Sequence, residues 1–245
     1  MRIDPRLIEA KHRLGDVRRS LWPRYKELRL HRLGDQDAWW RERAHEVYLK
    51  YQRGYSDLIE EGVQTAERRP SDRVWVLWLQ GMGNAPELIR ACHNSLLEHL
   101  PDKRVTVLSA ENMDDYIDLP GFLRDKHERG IIPMAQFSDL IRANLLMNHG
   151  GTWMDSTVLL TGDELPRYSM EQPLFCFKEL NLSNKDAAPI VASNWYISAF
   201  SGSSILGLTQ KLLWQYWETN DKLEQYFIFH IFFALASRRY PDEWA

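Results

Sequence analysis

Gln136-Phe-Ser-Asp-Leu-Ile-Arg-Ala-Asn-Leu-Leu-Met-Asn-His-Gly-Gly-Thr-Trp-Met-Asp-Ser-Thr157 decides how the rest of the chain is read. Phe137, Leu140, Ile141 and Leu145 recur at helical spacing, which predicts a helix from about Pro133 to Asn148 with one apolar face. Gly150-Gly151 ends it, because a helix stop often needs a left-handed residue and glycine adopts that conformation without a steric cost. Thr152–Met154 has strand character, and Asp155 falls at its carboxyl end, where open α/β sheets bind ligands. In an extended segment Trp153, Asp155 and Thr157 share one face. An acid and a hydroxyl so placed can share a divalent cation through oxygen ligands. Upstream, Asp139 and Arg142 are neighbours on one helical turn, with Ser138 beside them. The residues alone leave two readings of that pair. One is a surface ion pair contributing under about 1 kcal/mol. The other is an acid gripping hydroxyls while a guanidinium offers its planar fork to oxygens.

Working outward, Arg73-Val-Trp-Val-Leu-Trp-Leu79 is a near-continuous apolar run, as expected for a strand covered on both faces. Gln80-Gly-Met-Gly83 reads as a turn. Asn84-Ala-Pro-Glu87 reads as a helix start, with Asn84 as the cap and Glu87 closing a capping box. The helix Pro86–Leu100 is expected to turn Leu88, Ile89, Cys92 and Leu96 inward, and Arg104–Ser109 is a second strand. Strand, helix and strand at this spacing open a Rossmann-like half-sheet, and a short helix over Pro120–Arg129 continues the alternation. The fold class is therefore α/β. Trp75 reads as core. Trp78, at the mouth of the sheet beside Gln80, suits a stacked nucleobase. Asn194 and Trp195, within Ser193-Asn-Trp-Tyr-Ile-Ser198, suit a sugar pocket or, equally, a turn and core role.

Residues 1–68 read as a helical N-terminal extension, with Trp22, Trp39, Trp40, Tyr48 and Tyr51 as anchors, and 69–245 as the main domain. The 245 residues are enough for one substantial core. The formal net charge of −3 does not mark a nucleic-acid binder. Residues 1–32 nevertheless carry ten Lys/Arg against four Asp/Glu. Such an arm suits either a solvated helix face or peripheral contact with acidic lipid at the inner face of the cell membrane. Cys92 and Cys176 have no ligand-spaced partner and read as reduced thiols, as in a cytoplasmic protein. The longest apolar run, Tyr226–Ala236, falls well short of the roughly 20 residues that span a bilayer.

Together, Val74-Trp-Val-Leu-Trp-Leu-Gln-Gly81, Asn84-Ala-Pro-Glu87, Phe137-Ser-Asp-Leu-Ile-Arg142, Gly150-Gly-Thr-Trp-Met-Asp-Ser-Thr-Val158 and Tyr226-Phe-Ile-Phe-His-Ile-Phe-Phe233 resemble the capsular polysaccharide synthesis proteins. These are bacterial relatives of glycosyltransferase family 32. The resemblance spans about Val74 to Phe233 and is weak before residue 70. It implies a GT-A fold, a UDP-sugar donor, and a glycan or lipid-linked oligosaccharide acceptor. It further implies that Trp78 stacks on the base, that Asp139 holds ribose or donor-sugar hydroxyls, and that Arg142 contacts the sugar. Asp155 becomes the first acid of a D-x-D motif engaging Mn²⁺ or Mg²⁺. Here the chain departs from the wider pattern, since Thr157 stands where the second acid is expected. The resemblance also implies that relatives usually continue beyond the point matching Ala245, so that a fragment or a natural short form is expected.

The expected reaction is hexosyl transfer with retention, and Asp139, Arg142 and Asp155 carry it. Two other readings stand beside it: a metal-dependent hydrolase or nucleotidyltransferase acting on nucleotide-sugars, and a non-catalytic relative that binds them.

Overall fold

The computed structural model describes residues 36–178 and 190–244, with side chains from residue 42. The basic arm and the side chains of Trp22, Trp39 and Trp40 lie outside what is described. The described residues open with two helices, α1 (Gln36–Gly54) and α2 (Ser56–Glu61). A compact unit begins within α1, at Val47, and runs to the end of the chain. In it Tyr51 donates to Glu224 at 2.9 Å and meets the rings of Tyr216 and Phe232 edge-on.

The alternation continues with β1 (Arg73–Leu77), α3 (Glu87–His99), β2 (Arg104–Leu108), α4 (Gly121–Glu128), α5 (Met134–His149) and β3 (Gly151–Met154). It ends with α6 (Glu164–Met170), β4 (Leu174–Lys178), β5 (Ala192–Ala199), α7 (Ser204–Thr219), α8 (Ile228–Arg239) and α9 (Pro241–Trp244). The strand order is β2-β1-β3-β5-β4. β1 is parallel to β2 and β3, whereas β5 runs antiparallel to both β3 and β4. The chain is thus α/β with a mixed five-stranded sheet. One core cluster joins Val74, Val76 and Met154 of the sheet to Leu96 and Leu100 at α3. α7 and α8 bury long apolar runs, including Leu212, Leu213, Phe229 and Phe232. Among the described residues no helix is long and apolar enough to cross a membrane.

Two local expectations are corrected. Asn84 does not cap α3: Met82–Asn84 is a single 3-10 turn, and Pro86 is the N-cap. The cause is Pro86 itself, which disfavours helical backbone at the residue before it. Ala85 is accordingly extended (φ −72, ψ 140), and the Asn84 amide turns back to donate to the Gln80 carbonyl at 3.3 Å. Leu88 is 63% exposed, not inward, because the buried stripe is Ile89, Cys92 and Leu96 and Leu88 lies one step off it. Cys92 is buried, Cys176 is half-buried, and both are free thiols.

The double glycine does two jobs. Gly150 (φ 64) ends α5 as its C-cap, and Trp75 Nε1 donates to its carbonyl at 2.9 Å. Gly151 (φ 99) lies where β3 approaches β1, and a Cβ there would stand 2.4 Å from the Arg73 carbonyl oxygen. Glycine is needed at both positions, since L side chains rarely adopt positive φ and the backbone contact leaves no room. That close approach delivers Asp155 to the carboxyl end of the parallel strands.

Candidate functional site

The site grows from α5. Its apolar stripe of Phe137, Leu140, Ile141 and Leu145 is at most 1% exposed, and each such side chain contributes about 1.5–3 kcal/mol on burial. The polar side is buried as well: Asp139 and Arg142 are 5% and 3% exposed. This rules out a surface ion pair. Arg142 Nη1 donates to Asp139 Oδ1, while Nη2 reaches Asp155 Oδ1 at 3.0 Å and Ser138 Oγ at 3.5 Å. The guanidinium also lies 4.7 Å from the Trp153 ring centre, and Trp153 Nε1 donates to Asp155 Oδ1 at 2.7 Å. From β5, Asn194 Nδ2 donates to Asp139 Oδ1 at 2.8 Å. Side chains 139, 142, 153, 155 and 194 thus form one network with two acids and one cation.

Electrostatics follow from burial. Desolvation pushes the Asp139 carboxyl up to about 6; Arg142 and the Asn194 bond oppose this, and the Asp155 charge adds to it. His230 on α8 is held down at about 3, by burial first and then by the charge of Arg142. No second cation therefore develops beside the guanidinium near neutral pH.

Beside this network lies a cavity of about 300 Å³, lined by Trp78, Gln80, Ser138, Asp155 and Thr157 together with Met134 and Trp153. Asp139 and Arg142 are behind its wall. Trp78 lines the cavity, and its Nε1 is closed off from solvent without a partner among the described residues. Asp155 is partly exposed (39% of its side chain), and its bonds within the protein fall on Oδ1. Thr157 reaches the cavity by a different route from the expected alternation. The strand ends at Met154, and the Val158 N–H bonds the Asp155 carbonyl at 2.9 Å, closing a turn that carries the exposed Thr157 hydroxyl. Trp195 is not in the cavity wall. A larger cavity of about 660 Å³ near α2 and α7 has no comparable network, and its Lys211 is spent on Glu61 at 2.8 Å.

Sequence reasoning left three features unassigned: Trp153 as a donor to Asp155, Asn194 as a brace on Asp139, and His230 beside Arg142. The last two are tertiary contacts between distant segments that no local pattern announces; the first joins residues two apart, whose shared face is legible in the sequence although the bond is not.

The raised Asp139 carboxyl has a measurable consequence. A folded pKa above the unfolded one means that the folded state binds more protons between the two, so stability falls as pH rises through that window. The window runs from 3.8 to about 6. Asp139→Asn is expected to flatten this slope, changing the pH-dependent part of stability by on the order of 2–3 kcal/mol. Urea unfolding of both proteins at pH 4.5 and 7.5 checks it, and parallel curves would refute it.

A family model described as capsular polysaccharide synthesis protein matches residues 33–245. A solved structure, PaToxG glycosyltransferase, aligns with a TM-score of 0.50 and 13% identity, over 82% of this chain and 79% of its own. At that identity the likeness bears on the fold. The search of curated proteins gives no match.

Proposed function

We propose, from the premise that this chain belongs to the capsular polysaccharide synthesis protein family, that it is a glycosyltransferase that moves a hexosyl group from a UDP-sugar to a glycan or lipid-linked acceptor. The single observation that carries this reading is the Asp139–Arg142–Asp155 network, placed at the carboxyl end of the parallel strands and opening through Asp155 into a cavity walled by Trp78.

In this reading the Trp78 ring stacks on the base, while Gln80 and Ser138 offer polar atoms to the ribose and sugar. The residues present suit a divalent cation. The Asp155 oxygen not engaged by Arg142 or Trp153 and the Thr157 hydroxyl are hard oxygen donors that would hold Mg²⁺ or Mn²⁺. When bound, that ion offsets the charge of the departing diphosphate. The protein's own part is positional. Arg142 holds both acids at fixed places, Asn194 and Trp153 lock them from either side, and Asp139 stays buried as a brace. Both carboxylates are already engaged by Arg142, so we favour a front-face displacement with retention over a covalent intermediate. The rate gain then comes from alignment and stabilisation of the leaving oxygens.

Calorimetric titration with UDP, with and without Mn²⁺, tests the reading, followed by release of UDP from a panel of donors. Binding that tightens at least tenfold with metal, together with turnover, is the expected result. Metal-independent or absent UDP binding would overturn it. Tight metal-dependent binding without turnover would favour the non-catalytic reading, which Thr157 in place of a second acid motivates.

A further inference from the structure

We propose that Trp195, backed by Phe177, is the platform on which the acceptor sugar rests, and that this sugar is a pyranose presenting a C–H face. The inference builds on the transferase reading above and assigns the side of the site from which the second substrate comes.

β4 and β5 pair irregularly. Cys176 faces Ile197 and Lys178 faces Ala192, so residues 193–196 of β5 fall opposite the single residue Phe177. An irregularity of this kind breaks the alternation of side chains and re-aims them, as strand bulges beside active sites do. Here it sends Asn194 to Asp139 at 2.8 Å. It also lays Trp195 flat on Phe177, with ring centres 4.8 Å apart and planes 12° from parallel. Phe177 is in turn held edge-on by Phe175 and Tyr196. The stack is therefore formed without a ligand, and a preformed platform lowers the ordering cost of binding.

Trp195 is 39% exposed, and its Nε1 has no hydrogen-bond partner among the described residues. It offers a flat apolar face with a donor at its edge, and a pyranose offers a flat C–H face with hydroxyls at its rim. The position matters as much as the chemistry. The Trp195 carbonyl accepts the Asp155 N–H at 2.9 Å, yet its indole lies outside the cavity that Asp155 lines. Backbone pairing thus puts Trp195 directly beside Asp155 in the chain's fold, one residue from the cavity wall. If the donor fills the cavity, Trp195 is an exposed ring next to it that is left for the second substrate.

The experiment compares wild type, Trp195→Ala and Trp195→Phe by saturation-transfer NMR and calorimetry, with cellohexaose, chitohexaose and maltohexaose as probes and UDP plus Mn²⁺ as the donor-side control. Wild type is expected to bind at least one hexasaccharide. Trp195→Ala should weaken that binding tenfold or more, Trp195→Phe should retain it within threefold, and UDP affinity should stay within twofold throughout. Equal hexasaccharide binding by wild type and Trp195→Ala, or no binding by wild type, would overturn the platform. Loss of UDP affinity in Trp195→Ala would overturn it too, by placing the indole on the donor. A wild type that binds hexasaccharide through Trp195 but ignores UDP would strike the transferase reading and leave the platform standing.

Discussion

Arg142→Leu is expected to destabilise the protein by about 3–5 kcal/mol, the usual consequence of removing one partner from a buried ion pair. The geometry explains the size. Asp139 is 5% exposed, and one of its oxygens accepts from both Arg142 and Asn194. Without the guanidinium, an ionised Asp139 keeps one neutral donor in a site that already pushes its carboxyl up to about 6. The pKa must then rise further, and the variant folds with Asp139 protonated. This predicts a sign as well as a magnitude: the deficit should be larger at pH 8 than at pH 5, because at lower pH the carboxyl sheds the charge that lacks a partner. Arg142→Lys should rescue only in part, since one ammonium does not reproduce a fork spanning Asp139 and Asp155. The double variant Asp139→Leu/Arg142→Leu should recover much of the loss, because apolar replacement of a whole buried pair is often neutral or better. Urea unfolding of the four proteins at both pH values measures all of this. A loss below about 1 kcal/mol in Arg142→Leu would mean that the pair behaves as an exposed one.

How far the sequence reached can be judged from the same residues. Periodicity and glycine chemistry located α5, its stop and β3, because those signals are local. Gly150 and Gly151 do adopt positive φ. What lay outside reach was set by contacts across the chain. The spacing of Asp139 and Arg142 is compatible with solvent or core, and only the burial of α5 on nearly every side decides for the core. That burial depends on α7, α8 and the sheet, whose packing no single helix pattern encodes. Asn194 and Trp195 show the same limit more sharply. The sequence places them side by side, and a regular strand would send them to opposite faces; the irregular register against β4 decides where each goes. Asn84 shows a competing local rule, since its capping chemistry was overridden by Pro86 two residues on.

Asp155→Asn isolates the chemistry from the fold, and turnover is expected to fall by about 100-fold or more, the scale seen when one preorganised electrostatic contact to a transition state is removed. The substitution keeps the side-chain shape, and an amide oxygen still accepts from Trp153 Nε1 and Arg142 Nη2, now 2.7 and 3.0 Å from the Asp155 oxygen. Stability should therefore change little, since this side chain is partly exposed and its pairing with Arg142 is screened on one side. What disappears is the negative charge. The network goes from two acids around one cation to one acid around one cation, leaving no net negative charge to hold a divalent cation. UDP titration should accordingly lose its Mn²⁺ dependence in Asp155→Asn. Thr157→Ala should do so only partially, because a neutral exposed hydroxyl is the weaker ligand. Unfolding curves separate a lost charge from a lost fold. If Asp155→Asn unfolds like wild type yet binds UDP with the same metal dependence, Asp155 is a structural partner of Arg142, and the diphosphate must be held elsewhere.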